Sequence, residues 1–426
     1  MIARNPDQAW GSLIERDGLM KLEAVIREDQ SFLTMERYVG KGTKTYSPFA
    51  ARTEAAPCYQ PESGRPSFDL LTVNVPKEQV TIFQADPSLS LLNHYVRPQG
   101  ILFAVHPETW TTAGIDYLNE IRAFPREAPI RVAPTASTRT VLTLEHDEHV
   151  PPHFLKLHYP VLISRFNRRL MRKNIENSIA VTRDVAQLHL DKFAYLPDVL
   201  GFTIGRDENA WGFLVRETIP HPIIQGRFLI PCFALFGRDF NQPDDLPLLI
   251  QMIKRLDAEP VSFVINEIFI PVIECWCLVA RRGLLFESHA QNTLLEIDRD
   301  FRPRRIVHRD FDVWIDMETR RRADLEMPFL GKGLSADKGH VIEQYYSLIY
   351  DRFIGHGFFD YLLALLKGFY GVDEDAVRSQ VRKAFHRSFP EAERFFPAQT
   401  MFYFSKEPPP GREFALEDMR RTPEWR

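Results

Sequence analysis

Short, mainly hydrophobic segments fill the first half of the chain, and turn residues separate them. Segments of this length between turns are typical of β-strands. The pattern predicts strands at 68–75, 80–83, 100–105, 140–145, 154–163, 201–205 and 211–218. Because polar turns link the last four segments into two hairpins, we expect a mainly antiparallel sheet.

From about Leu246 onward the spacing of the hydrophobic residues becomes that of helices. It predicts helices at 246–256, 261–280, 341–369 and 374–385, and one strand pair, 293–297 with 305–311. The expected fold is α+β, with an N-terminal antiparallel-sheet-rich lobe at 61–240 and a helix-rich lobe with a small sheet at 241–426. Residues 1–60 precede them as a helical and irregular segment. The polar motifs fall at the junction of the two lobes.

The segment from Val261 to Ala280 is hydrophobic enough to raise the question of a membrane span. It also carries Asn266, Glu267 and Glu274, whose side chains are costly in hydrocarbon, and a proline at 271. A buried helix with a proline kink explains this composition better.

Composition and charge exclude several classes of partner. The chain of 426 residues is 44% hydrophobic and 26% charged, which is ordinary for a globular protein with a sizeable core. Its net charge of −4 gives no global attraction to nucleic acid or to an anionic membrane. Few cysteines and no hydrophobic signal sequence predict a cytoplasmic protein, with Cys275 and Cys277 in the core.

Two groups of polar residues carry the candidate chemistry. The first comprises Ser137, Arg139, Thr140, Lys156 and Arg168, and the second comprises Glu287, His289, Gln291, Asn292, Arg309 and Asp310. Cations and hydroxyls suit phosphate oxygens, and a carboxylate suits a divalent metal. Together the groups favour phosphoryl or nucleotidyl transfer, in which a protein positions phosphates and neutralises their charge.

In their order along the chain, these residues resemble the NRPS-independent siderophore (NIS) synthetases, the family that includes aerobactin synthetase. The shared marks are Val105-His106-Pro107, Ser137-x-Arg139-Thr140, Lys156-Leu157, Arg168, Arg216-Glu217, Glu287-x-His289-x-Gln291-Asn292 and Arg309-Asp310. Any one of these marks is weak, but seven in the same order form a strong signal.

The resemblance implies an AMP-forming, ATP-dependent ligase of siderophore or related metallophore biosynthesis. It would adenylate a polycarboxylic acid such as citrate and join it to an amine or hydroxyl. The implied catalytic residues are Lys156, Arg168 and His289; the implied nucleotide-binding residues are Ser137, Arg139, Thr140, Gln291, Asn292 and Arg309; and Asp310 would hold Mg²⁺. Arg216 and Glu217 are expected to form an ion pair that shapes the cleft. The partners are small molecules, with neither nucleic acid nor membrane, and a homodimer is compatible with this interpretation.

The chain also departs from the family pattern. Nothing in residues 1–100 matches the family's early His-Pro-x-His stretch, so we expect the usual N-terminal lobe to be missing or replaced. Glu108 and Thr109 stand where the family has Trp-Gln, and residues 399–402 read Gln-Thr-Met-Phe where the family has a lysine. These departures affect the expected binding of the amine or hydroxyl substrate more than the expected binding of the nucleotide.

Other interpretations stay open. The first is a non-catalytic paralogue that binds a nucleotide or carboxylate as a partner subunit: the missing N-terminal lobe favours it, whereas the intact Lys156 and Asp310 oppose it. A ferric-siderophore reductase would need a cysteine cluster near the C-terminus, whereas the last cysteine is Cys277.

The histidines between 146 and 158 could hold a metal, although an exposed turn is favoured. Arg168 is expected at a helix start, on one face with Arg172, among basic residues that mostly face solvent.

Overall fold

The computed structural model describes residues 22–26, 35–36, 54–61, 66–144, 149–163, 166–237, 245–327, 332–407 and 414–426. The strands in these residues are β1 (Phe68–Val75), β2 (Val80–Gln84), β3 (Val96–Arg97), β4 (Gly100–Val105), β5 (Ile130–Pro134), β6 (Thr140–Thr143), β7 (His153–Leu157), β8 (Tyr159–Ile163), β9 (Phe166–Arg168), β10 (Phe193–Tyr195), β11 (Asp198–Ile204), β12 (Trp211–Glu217), β13 (Phe228–Pro231), β14 (Leu284–Leu285), β15 (Thr293–Ile297), β16 (Pro303–His308), β17 (Trp314–Asp316), β18 (Gly333–Leu334), β19 (Phe402–Phe404) and β20 (Leu416–Asp418).

The helices in the same residues are α1 (Leu22–Val25), α2 (Leu89–Tyr95), α3 (Pro107–Thr111), α4 (Leu118–Ala123), α5 (Arg172–Val185), α6 (Cys232–Phe236), α7 (Leu248–Arg255), α8 (Pro260–Val264), α9 (Ile270–Ala280), α10 (Met317–Arg322), α11 (Ile342–Ser347), α12 (Asp360–Tyr370) and α13 (Glu374–Ser388). Two π-helical segments, Ile265–Phe269 and Leu348–Phe359, join α8 to α9 and α11 to α12. The two long helices predicted from the hydrophobic period are therefore continuous, but each widens locally into π geometry.

Nine described strands form one antiparallel sheet in the order β2-β11-β12-β7-β6-β5-β1-β4-β3. Buried side chains such as Val73, Val75 and Phe213 belong to its hydrophobic cluster, and Val73 and Val75 share a face of β1 as the period of two requires. The expected N-terminal antiparallel lobe is therefore confirmed. The predicted strand 154–163 is wrong as a single unit, because it divides at His158 and β8 pairs with β9 instead. Pro160 in β8 has no N–H to donate to a sheet.

A second sheet joins the two halves of the chain. Its order is β10-β16-β15-β13, so two of its strands precede residue 240 and two follow it. The predicted pairing of 293–297 with 305–311 is confirmed as antiparallel, although β16 ends at His308. With the helices that follow, the predicted α+β class is confirmed.

The helix-rich lobe packs around the helix from Pro260 to Ala280. This helix is long and hydrophobic enough to cross a membrane, but 72% of its most hydrophobic window is buried inside the fold. Cys275 and Cys277 are buried free thiols in that core, as predicted. Leu22 and Met35 also pack there, whereas the earlier part of the predicted N-terminal helix lies outside the described residues.

Candidate active site

An ion pair between Lys156 and Asp310 joins the two polar groups of the sequence. Lys156 lies on β7 of the large sheet, and Asp310 follows β16 of the second sheet. The ammonium group of Lys156 donates a hydrogen bond to Oδ1 of Asp310, and Arg216 Nη2 lies 3.7 Å from the same oxygen. The structure therefore brings together residues that are far apart in the sequence.

Asp310 is a charged carboxylate that remains accessible. Burial opposes its ionisation, but the positive charges of Lys156 and Arg216 outweigh burial and hold the pKa of Asp310 well below its usual range. Its side chain is 29% exposed, and Oδ2 has no hydrogen-bond partner among the described residues. This second oxygen is thus open to a ligand.

The donor chemistry at Asp310 fits a Mg²⁺ ion that phosphate oxygens would help to hold. An ionised carboxylate oxygen is a ligand that Mg²⁺ prefers. The described residues contain no group of three or more His, Cys, Asp or Glu side chains arranged to hold a metal by themselves. Any Mg²⁺ here would therefore depend on oxygens of the bound substrate, as is usual for nucleotide sites.

The loop from Thr135 to Thr140 presents two hydroxyl groups at the start of β6. Ser137 Oγ donates to Thr140 Oγ1 at 3.0 Å and accepts from the Thr140 N–H at 3.3 Å. Thr135 Oγ1 donates to the carbonyl of Thr140 at 2.6 Å, which tightens the turn. The hydroxyls of Ser137 and Thr140 therefore lie side by side, as expected for a loop that contacts phosphate oxygens.

Two guanidinium groups lie next to this loop. Arg139 Nη1 donates to the carbonyl of Arg168 at 3.2 Å. Burial, and then the like charge of Arg168, lower the pKa of Arg139 to about 10. Arg139 has no carboxylate within ion-pair distance in the described part of the chain. An anion would therefore relieve the repulsion between these two side chains.

The prediction that Arg168 begins a helix and shares a face with Arg172 is wrong. Arg168 ends the short strand β9, and α5 begins at Arg172. The Arg168 backbone pairs with Tyr159 of β8. The strand partner thus overrides the helical pattern of the following residues and sets Arg168 beside Arg139.

Alternation of side chains predicts that Glu287, His289 and Gln291 lie on one side of an extended segment. This prediction is wrong, because the segment from Glu287 to Asn292 is a series of turns. The N–H of His289 donates to the Glu287 carbonyl at 2.8 Å, and the N–H of Asn292 donates to the His289 carbonyl at 3.0 Å. These local hydrogen bonds replace the sheet pairing that alternation assumes. The strand begins only at Thr293.

His289 is held as a neutral imidazole. Its Nδ1 accepts a hydrogen bond from the Gln291 N–H at 3.3 Å, which places the ring proton on Nε2. Burial lowers the pKa of His289 to about 3. The ring packs edge-on against Phe353 of the longer π-helix, with 5.6 Å between centroids. His289 can therefore donate a neutral hydrogen bond at pH 7.

Arg309, Gln291 and Asn292 form a buried scaffold behind His289. Arg309 donates from Nε and Nη2 to the Gln291 carbonyl at 2.9 Å and 2.6 Å, and from its backbone N–H to the Asn292 carbonyl at 3.1 Å. Its remaining terminal nitrogen contacts Glu36 at 2.5 Å. Contact of these three residues with a nucleotide stays a prediction.

The predicted ion pair between Arg216 and Glu217 is wrong. Arg216 binds the buried carboxylate of Asp198 at 2.8 Å and 3.2 Å, while Glu217 contacts His221 at 2.9 Å. Adjacent residues of a strand point to opposite faces, so the partner of Arg216 comes from the neighbouring strand β11. Arg216 does lie in the cleft, beside Asp310.

Sequence reasoning missed Lys332 and Asp312, which extend the site beyond the motifs. Lys332 Nζ donates to the Asp312 carbonyl at 2.7 Å, lies 3.3 Å from its carboxylate and covers the ring of Trp314. Asn174 donates to the same carboxylate at 3.0 Å. No spacing in the sequence links these residues. Lys332 comes close to Asp312 only because β18, which follows Lys332, pairs with β17.

The suspected histidine metal site is not supported by the described residues. His153 Nε2 shares a hydrogen bond of 2.6 Å with the hydroxyl of Tyr95. His158 Nδ1 accepts a hydrogen bond from the Leu170 N–H at 3.2 Å. Both rings are buried and serve the packing of the large sheet. Residues 145–148 of this stretch lie outside the described part of the chain.

The fold matches several solved structures at low sequence identity. The aerobactin synthetase IucC from Klebsiella pneumoniae aligns with a TM-score of 0.64 and 18% identity, over 90% of this chain and 73% of that one. The ATP-bound aerobactin synthetase IucA from the same organism gives 0.58 and 15%, over 91% and 72%. The petrobactin biosynthesis protein AsbB from Bacillus anthracis gives 0.62 and 15%, over 84% and 68%. At this identity the alignments show a shared fold.

Matches to family models show that the similarity extends to the sequence as well. Residues 32–237 match the IucA / IucC family. The chain is therefore similar to the NIS synthetases both in its fold and in this part of its sequence. Residues 267–414 match a second family, described as ferric iron reductase FhuF-like transporter. No curated protein matches this chain at a significant level.

The second family match covers most of the helix-rich lobe, including the turns around His289 and Asp310. No cysteine occurs in the sequence after Cys277. The cysteine cluster expected near the C-terminus of a ferric-siderophore reductase is therefore not found in these 426 residues.

Proposed function

We propose that this protein is an ATP-dependent, AMP-forming ligase that activates a polycarboxylic acid of the citrate type. The activated acid is then joined to an amine or a hydroxyl in the biosynthesis of a siderophore or related metallophore. We place the reaction in the cytoplasm, where ATP is available. The similarity to aerobactin and petrobactin biosynthesis proteins supports the ligase class.

The observation that carries the proposal is the group of cations around the accessible carboxylate of Asp310. Lys156 donates to Asp310, Arg216 lies 3.7 Å from the same oxygen, and the positive charge of Arg139 also lowers the pKa of Asp310. Cations grouped in this way suit the binding of a polyphosphate and a polycarboxylate.

In the first step, an oxygen of the substrate carboxylate attacks the α-phosphorus of ATP, and the bond to pyrophosphate breaks. Arg139 and Arg168 would neutralise the charge that accumulates on the phosphate oxygens, while Ser137 and Thr140 orient them. Lys156 would exchange its bond with Asp310 for one with phosphate. Asp310 would hold Mg²⁺, which supplies further neutralisation of the phosphates when bound.

In the second step, the nucleophile attacks the acyl carbon and AMP leaves with the bonding electrons. His289 is neutral and would donate a hydrogen bond from Nε2 to the acid substrate or the departing phosphate. Its fixed tautomer is useful here, because the donor does not have to reorganise during the reaction.

The nucleotide product tests this proposal. The chain lacks a Gly-rich phosphate loop and a kinase catalytic loop, the parts that usually position a γ-phosphoryl group. We therefore expect AMP and pyrophosphate when the protein is screened with carboxylic acids, and hydroxylamine should trap the activated acid as a hydroxamate. ADP as the sole product would reject adenylation, and ATP binding without turnover on any acid would favour a non-catalytic subunit.

A further inference from the structure

Glu36 reaches the candidate site from the N-terminal segment, outside every motif of the sequence. Its side chain is buried, and its Oε1 lies 2.5 Å from Nη1 of Arg309. Met35 beside it is also fully buried and belongs to the core of the helix-rich lobe. The position of Glu36 is therefore fixed by packing as well as by charge.

The same residue contacts both loops that are expected to bind the nucleotide. The Glu36 carbonyl accepts a hydrogen bond from the Ala136 N–H at 2.9 Å, one residue before Ser137. Its carboxylate holds Arg309, which in turn holds the Gln291 carbonyl through two N–H groups. One residue thus connects the loop of Ser137, on the large sheet, to the turns of His289.

We propose that Glu36 is a positioning residue that sets the Ser137 loop and the His289 turns at a fixed separation for the nucleotide. The inference rests on the proposed function, since it assumes that both loops contact ATP. Small displacements of groups that bind a substrate are costly, because each contact depends on distance and direction.

Glu36 and Arg309 depend on each other because both side chains are buried. Burial raises the pKa of Glu36 and so disfavours its charged form, and the charge of Arg309 opposes this shift. Without Glu36, the buried guanidinium of Arg309 would lose its counter-ion, and Arg309 would no longer be held against Gln291 in the same geometry. The loop of His289 would then be free to relax.

The pair of Glu296 and Arg305 provides a matched control. Both side chains are buried, and Arg305 donates to the two oxygens of Glu296 at 2.6 Å each on the same β15–β16 hairpin. This pair has no contact with Ala136 or Gln291. Replacing either glutamate therefore breaks a buried ion pair, but only one replacement affects the two loops.

The experiment compares Glu36→Ala, Glu36→Gln and Glu296→Gln with the unmodified protein. The dissociation constant of ATP is measured by calorimetry, KM for ATP and kcat by pyrophosphate release, and Tm by thermal unfolding. We expect Glu36→Ala to weaken ATP binding by about tenfold or more. Glu36→Gln should weaken it less, because glutamine keeps an oxygen for Arg309. Glu296→Gln should lower Tm and leave ATP binding unchanged.

Unchanged ATP binding in the Glu36 variants, with a Tm loss like that of Glu296→Gln, would overturn the proposal and leave Glu36 structural. Tighter ATP binding would also overturn it, because it would show that the carboxylate competes with phosphate for Arg309. If Glu36→Ala does not fold, Glu36→Gln decides in the same way. Failure of the unmodified protein to bind ATP would reject the proposed function, and the role of Glu36 with it.

Discussion

Single charged residues of the site are paired with each other. Burial lowers the pKa of Lys156, and its ion pair with Asp310 opposes that shift. A buried ammonium group needs an anionic partner, so Lys156 can leave Asp310 only for another anion. Phosphate or substrate carboxylate would serve equally well in this exchange.

Replacing Lys156 or Arg168 tests whether these cations act on the transition state. Lys156→Ala and Arg168→Ala should each lower kcat/KM by about 100-fold or more, because each removes charge stabilisation where negative charge accumulates. Steady-state kinetics of pyrophosphate release would measure this. Lys173→Ala is the control, since Lys173 is exposed on α5. Equal losses in all three variants would indicate a general electrostatic effect.

Asp310→Asn should abolish Mg²⁺-dependent turnover while the protein stays folded. The substitution keeps the shape of the side chain but removes the charge that Mg²⁺ and Lys156 both require. Activity would be measured over a range of Mg²⁺ concentrations, and circular dichroism would confirm the fold. A folded variant with normal activity would show that Asp310 is not the metal ligand.

The sequence predicts which residues come together in the structure where a motif fixes both residue type and spacing. Lys156, Arg139 and Asp310 do converge, because each lies at or near the end of a predictable strand. Glu36 could not be found in this way, since its contact with Arg309 spans 273 positions of the sequence. Turns such as 287–292 are also missed, because local hydrogen bonds there compete with the alternating pattern.

At the scale of elements, the sequence predicts the bounds of the strands closely and the geometry of the helices less completely. β1 and β4 occupy the predicted residues 68–75 and 100–105. The helix predicted at 341–369 forms, but twelve of its residues adopt π geometry. Hydrophobic spacing does not distinguish the two helical types, because both bury most of the same side chains.

The N-terminal cap of α10 should contribute more to stability than an ordinary cap. Asp316 accepts from the N–H groups of Glu318 and Thr319 at 3.0 Å each, and from the hydroxyl of Tyr346 at 3.1 Å. Because Asp316 is buried, Asp316→Ala would leave these donors unsatisfied and should cost about 2 kcal/mol or more in the free energy of unfolding. Urea denaturation would measure it.

Asp373 offers a control with the same geometry at the surface. It caps α13 by accepting from Asp375 N at 3.0 Å and Ala376 N at 3.3 Å, but it is exposed. Asp373→Ala should cost about 1 kcal/mol, because water can replace its hydrogen bonds. Equal losses at Asp316 and Asp373 would contradict the importance of burial.

At the scale of the whole molecule, buried neutral histidines should make stability depend on pH. Burial lowers the pKa of His106, His158, His289 and His308 to about 3 and that of His153 to about 4, from 6.5. The unfolded chain therefore binds protons below about pH 6.5 that the folded chain does not. Each such histidine should cost about 1.4 kcal/mol per pH unit as the pH falls toward 4.

Urea unfolding at pH 7 and pH 5 would measure this loss. Glu36, Glu287 and Asp351, whose pKa values burial raises, take up protons in the folded state and offset part of the loss at the acidic end. His153→Gln should reduce the difference between the two pH values, whereas substitution of the exposed His386 should not. Equal stability at both pH values would contradict the prediction.

The second sheet has a consequence for how the protein is made. β10 and β13 leave the ribosome well before β15 and β16, the strands with which they pair. Lys156 likewise emerges long before Asp310. The large antiparallel sheet can form while synthesis continues, since domains often fold as they emerge. The charged cleft, by contrast, stays incomplete until translation has passed residue 310, so we expect a nascent or prematurely terminated chain to lack the site that we propose binds ATP.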